Sequence, residues 1–168
     1  MNLETERLLI RNLVPEDAPF FYELANDDDW KRFIGDRNIL TIQDAEDHLT
    51  QKTIPSYTQS GFGFYLVIEK ERNIPVGMSG FVKRNELDFV DVGFAFLPVG
   101  RGKGYALEAT KVIMDYGKKE FGFSTVLAIA HNENERSHSL LRKLGLSFEK
   151  HIKFGDPERE ISLFSVTF

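Results

Sequence analysis

The sequence predicts one domain of mixed α/β (α+β) class. Its sheet has six to seven strands and is mostly antiparallel, with a parallel βαβ unit near its centre and flanking helices. Three observations predict this. Three β-rich runs, Phe62–Glu69, Ile74–Val82 and Asp88–Leu97, are separated only by the polar turns Lys70–Asn73 and Lys83–Leu87, which reads as an antiparallel meander. A helical period then intervenes before the apolar run Thr125–Ala130, so that run joins the sheet by a crossover, right-handed by rule. Finally, 168 residues with 42% hydrophobic content and 15 Phe suffice for one core. No linker, repeat or low-complexity tract divides them, so residues 1–168 are read as one domain.

The elements follow in order. Thr5–Val14 alternates Leu8, Ile10 and Asn12 against Leu9, Arg11 and Leu13, the period of a strand. Pro15, Glu16 and Asp17 suit a helix start, and Phe20, Phe21, Leu24 and Ala25 give that helix an apolar stripe. The polar stretch Asn26–Asp29 breaks it. Thr41 with Asp44 resembles a capping pair ahead of Ile42, Ala45, His48 and Leu49, and Pro55 ends that element. Tyr105, Ala109, Val112, Ile113 and Tyr116 fall on one helical face, closed by Gly122. Thr125–Ala130 is apolar without alternation, as in a strand buried on both faces. A helix near Asn134–Leu144 stops at Gly145, and two strands, Ser147–Phe154 and Glu158–Val166, flank the turn Gly155–Asp156–Pro157.

Composition excludes several function classes. A formal net charge of −5 disfavours nonspecific contact with phosphate backbones, so no nucleic-acid partner is expected. No run of about 18 apolar residues occurs, so no membrane span is expected. Glu4, Glu6 and Arg7 near the start do not suit a signal peptide, and a soluble, cytoplasmic protein is the expectation. The absence of Cys removes a disulfide scaffold, a thiolate metal site and a cysteine acyl-enzyme. His48, His131, His138 and His151 are scattered and no HExxH occurs, so no metal is expected.

The chemistry concentrates in Pro98-Val99-Gly100-Arg101-Gly102-Lys103-Gly104-Tyr105-Ala106, where a strand hands over to a helix. Glycines let backbone approach a ligand closely, and the first helical turn offers unpartnered N–H groups at its positive end. That combination suits a phosphate. A P-loop fails, because Leu97 and Gly104 stand where it needs Gly and Ser or Thr. A dinucleotide fingerprint fails too, because its third glycine would fall on Tyr105 or Leu107.

In this register Val99-Gly100-Arg101-Gly102-Lys103-Gly104 resembles the coenzyme A pyrophosphate motif of the GNAT superfamily of N-acyltransferases, with Val99 in place of Gln or Arg. Gly104-Tyr105-Ala106-Leu107-Glu108-Ala109 and Glu4-Thr5-Glu6-Arg7-Leu8-Leu9-Ile10-Arg11 are similar to its RimJ/RimL branch. So is Asn134-Glu135-Arg136-Ser137 with Leu140-Leu141-Arg142-Lys143-Leu144-Gly145. The resemblance implies a GNAT fold in which the strand before the loop carries a bulge and splays from its parallel neighbour. Acetyl-CoA would be the co-substrate, lying in the notch against Phe94, Ala95 and Phe96. Its phosphates would meet Gly102, Gly104, Tyr105 and Ala106, with Arg101 and Lys103 either pairing with them or simply solvated, and Asn134 would contact its pantetheine arm or simply cap a helix. Phe94 and Phe96 would act through their backbone, their side chains serving the core.

For catalysis the resemblance implies direct attack by an amine. Asp91 stands where relatives carry Glu, so it is the expected base; the alternative is a solvated aspartate near a turn. Glu69, Glu86 and Asp88 are lesser choices. Relatives place a tyrosine acid where Leu141 stands, which leaves Ser137 as the acid or as a plain surface serine. Trp30, Phe33 and Tyr57 fall in the region that shapes acceptor pockets. The acceptor implied is a protein N-terminal α-amine. A small amine (amino acid, polyamine or aminoglycoside) and a non-catalytic acyl-CoA-binding module stay open, as does a homodimer through the final strands.

Overall fold

In the computed structural model, which describes residues 1–168, the N-terminal run read as one strand is a hairpin. It comprises β1 (Asn2–Glu4) and β2 (Leu8–Asn12), antiparallel, with Asn2 opposite Arg11 and Glu4 opposite Leu9. The turn is closed by Thr5, whose N–H donates to the Leu8 carbonyl at 2.9 Å and whose Oγ1 accepts from the Leu8 N–H at 3.0 Å. A threonine that bonds its neighbour's backbone in this way competes with strand continuation.

Pro15–Asp17 forms a 3-10 turn leading into α1 (Ala18–Ala25), which buries Phe20, Phe21, Leu24 and Ala25 as its stripe predicts. The break after it is shorter than expected. Helix resumes as α2 (Asp28–Phe33), with Asp28 and Asp29 at its positive end and Lys31 and Arg32 at its negative end. Thr41 and Asp44 cap α3 (Ile42–His48) reciprocally, each backbone N–H donating to the other's side chain at 3.0 Å. Pro55 does not end the helical segment. A wide turn at Leu49–Thr53 carries the chain on, and Pro55 stands just before α4 (Ser56–Gln59), where proline is tolerated.

Three strands then meander, β3 (Phe64–Glu69), β4 (Ile74–Val82) and β5 (Asp91–Phe96). Helix α5 (Tyr105–Phe121) crosses to β6 (Thr125–His131), and α6 (Glu135–Lys143) leads to β7 (Ser147–Phe154) and β8 (Arg159–Thr167). The sheet has eight strands in the order β1-β2-β3-β4-β5-β6-β8-β7, one more than the upper expectation because of β1. Only β5 and β6 run parallel. One face packs Val92, Phe96 and Phe164 against Tyr105, Ala109, Ile113 and Leu141; the other packs Met78 and Leu97 against Phe21, Leu24, Trp30 and Leu49. The implied bulge is not in β5, whose six residues pair in unbroken register with β4, from Gly77 opposite Phe96 to Val82 opposite Asp91. Register shifts fall instead at Val67/Ile68 and at Phe148/Lys150. No helix is long and apolar enough to cross a membrane.

Candidate active site

β5 and β6 pair at a single position, Asp91 opposite Leu127, and then diverge. The Leu127 N–H still reaches the Val90 carbonyl at 2.9 Å, but no ladder continues beyond it. On the other side, the Leu97 N–H donates to the Val76 carbonyl at 2.9 Å. Backbone groups alternate direction along an antiparallel strand, so odd-numbered residues of β5 face β4. Phe94 and Phe96 therefore present their N–H and C=O groups to the gap. A central strand with unanswered backbone groups is a template for an added strand-like ligand.

The gap opens into a cleft of about 980 Å³. Of the residues the sequence singles out, Asp91, Phe94, Ala95, Phe96, Arg101, Gly102, Gly104, Tyr105, Ala106, Asn134 and Ser137 line it; Lys103 does not. At its end lies the glycine turn. Gly102 and Gly104 both have positive φ, 72° and 80°, which only glycine adopts without strain. A Cβ on Gly102 would meet nothing within 4 Å, so that side of the turn is open. The first helical bond of α5 is from the Glu108 N–H to the Gly104 carbonyl at 3.0 Å, which leaves the N–H groups of Tyr105, Ala106 and Leu107 without helical partners. These residues fit a diphosphate through backbone alone.

The charged side chains of the turn are engaged elsewhere. Arg101 pairs with Asp27 and lies 3.5 Å from Asp29, fastening the turn to the start of α2. Lys103 approaches Glu69 at 3.8 Å, and its carbonyl accepts from Arg7 at 2.8 Å. Two sequence matches far apart in the chain also meet here. Glu108 accepts from Thr5 Oγ1 at 2.5 Å and from Arg7 Nε at 2.8 Å, so the N-terminal hairpin pins the first turn of α5.

Asp91 is 2% exposed, which removes the solvated reading. Its side chain alternates onto the face of Gly93 and Ala95. Burial pushes its carboxyl above the usual range, while Arg84, whose Nε donates to Oδ1 at 3.0 Å, pulls against that shift. A buried carboxylate kept basic yet oriented is what proton abstraction needs. Glu69 is unsuited to that task, because its bond with Arg72 holds it at about 2 and it lies outside the cleft. Glu86 and Asp88 are exposed and also outside.

Asn134 caps α6, its side-chain carbonyl accepting from the Ser137 N–H at 3.2 Å, which leaves its NH₂ free for a ligand. Ser137 is half-buried on the first turn of α6, and Leu141 is core. Trp30 and Phe33 line the cleft. Tyr57 does not. Its hydroxyl donates to the Phe64 carbonyl and accepts from the Leu13 N–H at 2.9 Å, and burial raises it to about 12. The sequence reading missed Arg37, Arg84 and Arg159, which also line the cleft and carry no local motif.

Comparison with known proteins agrees with this geometry. The family model for the acetyltransferase (GNAT) domain matches residues 7–147. The uncharacterized N-acetyltransferase YnaD of Bacillus subtilis (strain 168) is 28% identical over 153 residues, covering 91% of this chain and 86% of that protein. A GNAT-family acetyltransferase from Bacillus anthracis superposes with a TM-score of 0.82 at 26% identity, over 99% of this chain and 98% of the other. RimL, a ribosomal α-N-protein acetyltransferase solved in complex with coenzyme A, superposes with a TM-score of 0.83 over 100% of this chain and 98% of its own; at 12% identity that likeness speaks for the fold.

Proposed function

This chain belongs to the GNAT acetyltransferase family, and from that premise we propose that it moves an acetyl group from acetyl-CoA to the α-amine of a peptide N-terminus by direct attack in a ternary complex. The observation that carries this reading is the gap between β5 and β6, which ends on the glycine turn and the open N–H groups of α5. Acetyl-CoA supplies the thioester carbonyl that the amine attacks. The pantetheine arm adds to β5 at Phe94 and Phe96, and a β5 N–H in the gap holds the developing oxyanion, a donor whose loss typically costs about 3–4 kcal/mol.

Asp91 takes the proton from the attacking amine, directly or through water. Ser137 gives one to the leaving thiolate, and Asn134 NH₂ steadies the arm between them. With no Cys in the chain, no thioester forms on the enzyme. A peptide acceptor is favoured by the likeness to RimL, an α-N-protein acetyltransferase. The exposed edge strand β7 is the surface through which a homodimer would form.

The test joins two measurements. Acetyl-CoA should raise the melting temperature, because a ligand bound only by the folded form stabilises it. Peptides with free N-termini should then release free thiol in proportion to enzyme. No melting shift at millimolar coenzyme, or release no faster than buffer with every peptide and amine tried, would falsify the reading.

A further inference from the structure

The acceptor end of the cleft carries charge that acetyl transfer itself does not use. Eight Lys and Arg side chains line the cleft against three carboxylates, in a chain whose formal net charge is −5. All three carboxylates are already paired, Asp27 and Asp29 with Arg101 and Arg136, and Asp91 with Arg84. Three of these cations come from distant segments. Arg37 precedes α3, Arg84 follows β4, and Arg159 opens β8.

Arg37 makes no hydrogen bond and no ion pair, and Arg159 donates only to the carbonyls of Phe33 and Ile34, at 3.3 and 3.1 Å. Arg37 is exposed as a residue where it lines the cleft, yet partial desolvation of its guanidinium, then the fields of Arg84 and Arg159, lower it from its ordinary value, so the three charges are close enough to repel. Trp30 lines the same cleft at 7% exposure, and its indole N–H has no acceptor. Convergent, under-partnered donors of one sign in a cleft make an anion site.

We propose that the acceptor is an amine that also bears a carboxylate, held by Arg37, Arg84 and Arg159 while its amine nitrogen lies at Asp91. This rests on the acetyl-transfer reading and names the substrate class within it. A guanidinium fork matches a planar carboxylate with two parallel hydrogen bonds, and Arg84, already bonded to Asp91 through Nε, has its two terminal nitrogens left for that role. The carboxylate has two sources, the α-carboxylate of a free amino acid or the side chain of an acidic residue beside a peptide's N-terminus.

The experiment compares matched acceptors by thiol release. One pair is alanine against alaninamide; the other is an Ala-Asp peptide amide against its Ala-Asn twin. The carboxylate member of one pair should lead by about tenfold in kcat/KM at low salt, and the lead should shrink as salt rises. Whichever pair shows it identifies the source. Arg37→Gln should collapse the ratio, and Arg37→Glu should turn preference toward an Ala-Lys twin, while both keep the wild-type melting shift with acetyl-CoA as proof of fold. Equal rates within each pair, or a preference that Arg37→Gln leaves intact, overturn the carboxylate site but leave acetyl transfer standing. Absence of both the melting shift and thiol release in every arm removes acetyl transfer, and the carboxylate site with it.

Discussion

The two ends of the cleft are built by different means. At the glycine turn the donors are backbone N–H groups of consecutive residues, set by two positive-φ glycines and a helix start. At the opposite end they are side chains from segments some 50 to 120 residues apart, Arg37, Arg84 and Arg159, none bonded to another. A backbone site is fixed by the fold and tolerates side-chain change. A side-chain site is cheap to remodel, which makes it the part that can differ in substrate between relatives that share one scaffold.

The largest effect should come from blocking the backbone end. Gly102 sits at φ 72° with open space beyond, so Gly102→Trp meets a backbone penalty of about 1–3 kcal/mol yet leaves the core untouched. The chain should still melt cooperatively, several degrees lower, with no shift on adding acetyl-CoA. A wild-type shift in this variant would mean that the phosphates sit elsewhere, and the contrast between the two ends would dissolve.

Asp91 lies where the two ends meet, and its replacement should separate chemistry from binding. Asp91→Asn should lower kcat by about 10²–10⁴-fold with the coenzyme shift unchanged. Ser137→Ala should cost less, about tenfold, because a thiolate with a conjugate pKa of about 8.5 leaves with little acid assistance. Stability gives an independent readout. The folded pKa of Asp91 lies above its ordinary 3.8, so its contribution is full below that value and is lost as pH rises through the folded pKa. Wherever the group is ionised its burial is a cost, and Asp91→Asn should not lower the melting temperature. A fall of several degrees would show that the Arg84 pair is net stabilising and that Asp91 is structural first.

The same contrast explains what was legible in the sequence. The meander, the crossover and the glycine turn are written in local periodicity and in glycine spacing, whereas Phe94 and Phe96 come from the family resemblance, and strand alternation turns their backbone to the gap only once the β4 pairing of β5 is known. β1 was not visible, because its pairing depends on a Thr5 turn bond that hydropathy does not register. Nor was α2, since Asn26–Asp29 reads as a breaker until Asp28 and Asp29 are seen at a helix's positive end. Arg101 and Lys103 read either as phosphate partners or as solvated turn cations, and no local signal announces that the fold also sets Asp27 beside Arg101 and Glu69 3.8 Å from Lys103. The arginines of the acceptor end have no motif at all; only two loops and the start of β8 converging in space bring them together.

The smallest effect is a titration. His48 stacks on Phe21, with ring centroids 4.8 Å apart, and is lowered from 6.5 to about 4, first by burial and then by Lys52 and Arg37. Because its folded value is depressed, the unfolded chain binds the extra proton between those values. The stability it contributes is whole above about 6.5 and drains away as pH falls toward about 4. His48→Gln should therefore flatten the decline of melting temperature across that window, by a few degrees at most. Arg37→Gln should do so more weakly, by lifting one of the two cations that hold His48 neutral. Proton NMR of the His48 ring reads this directly. A midpoint near 6.5 in the wild-type chain would mean that the acceptor end is neither desolvated nor cationic, and the two ends of the cleft would then differ in how they are built but not in the charge they hold.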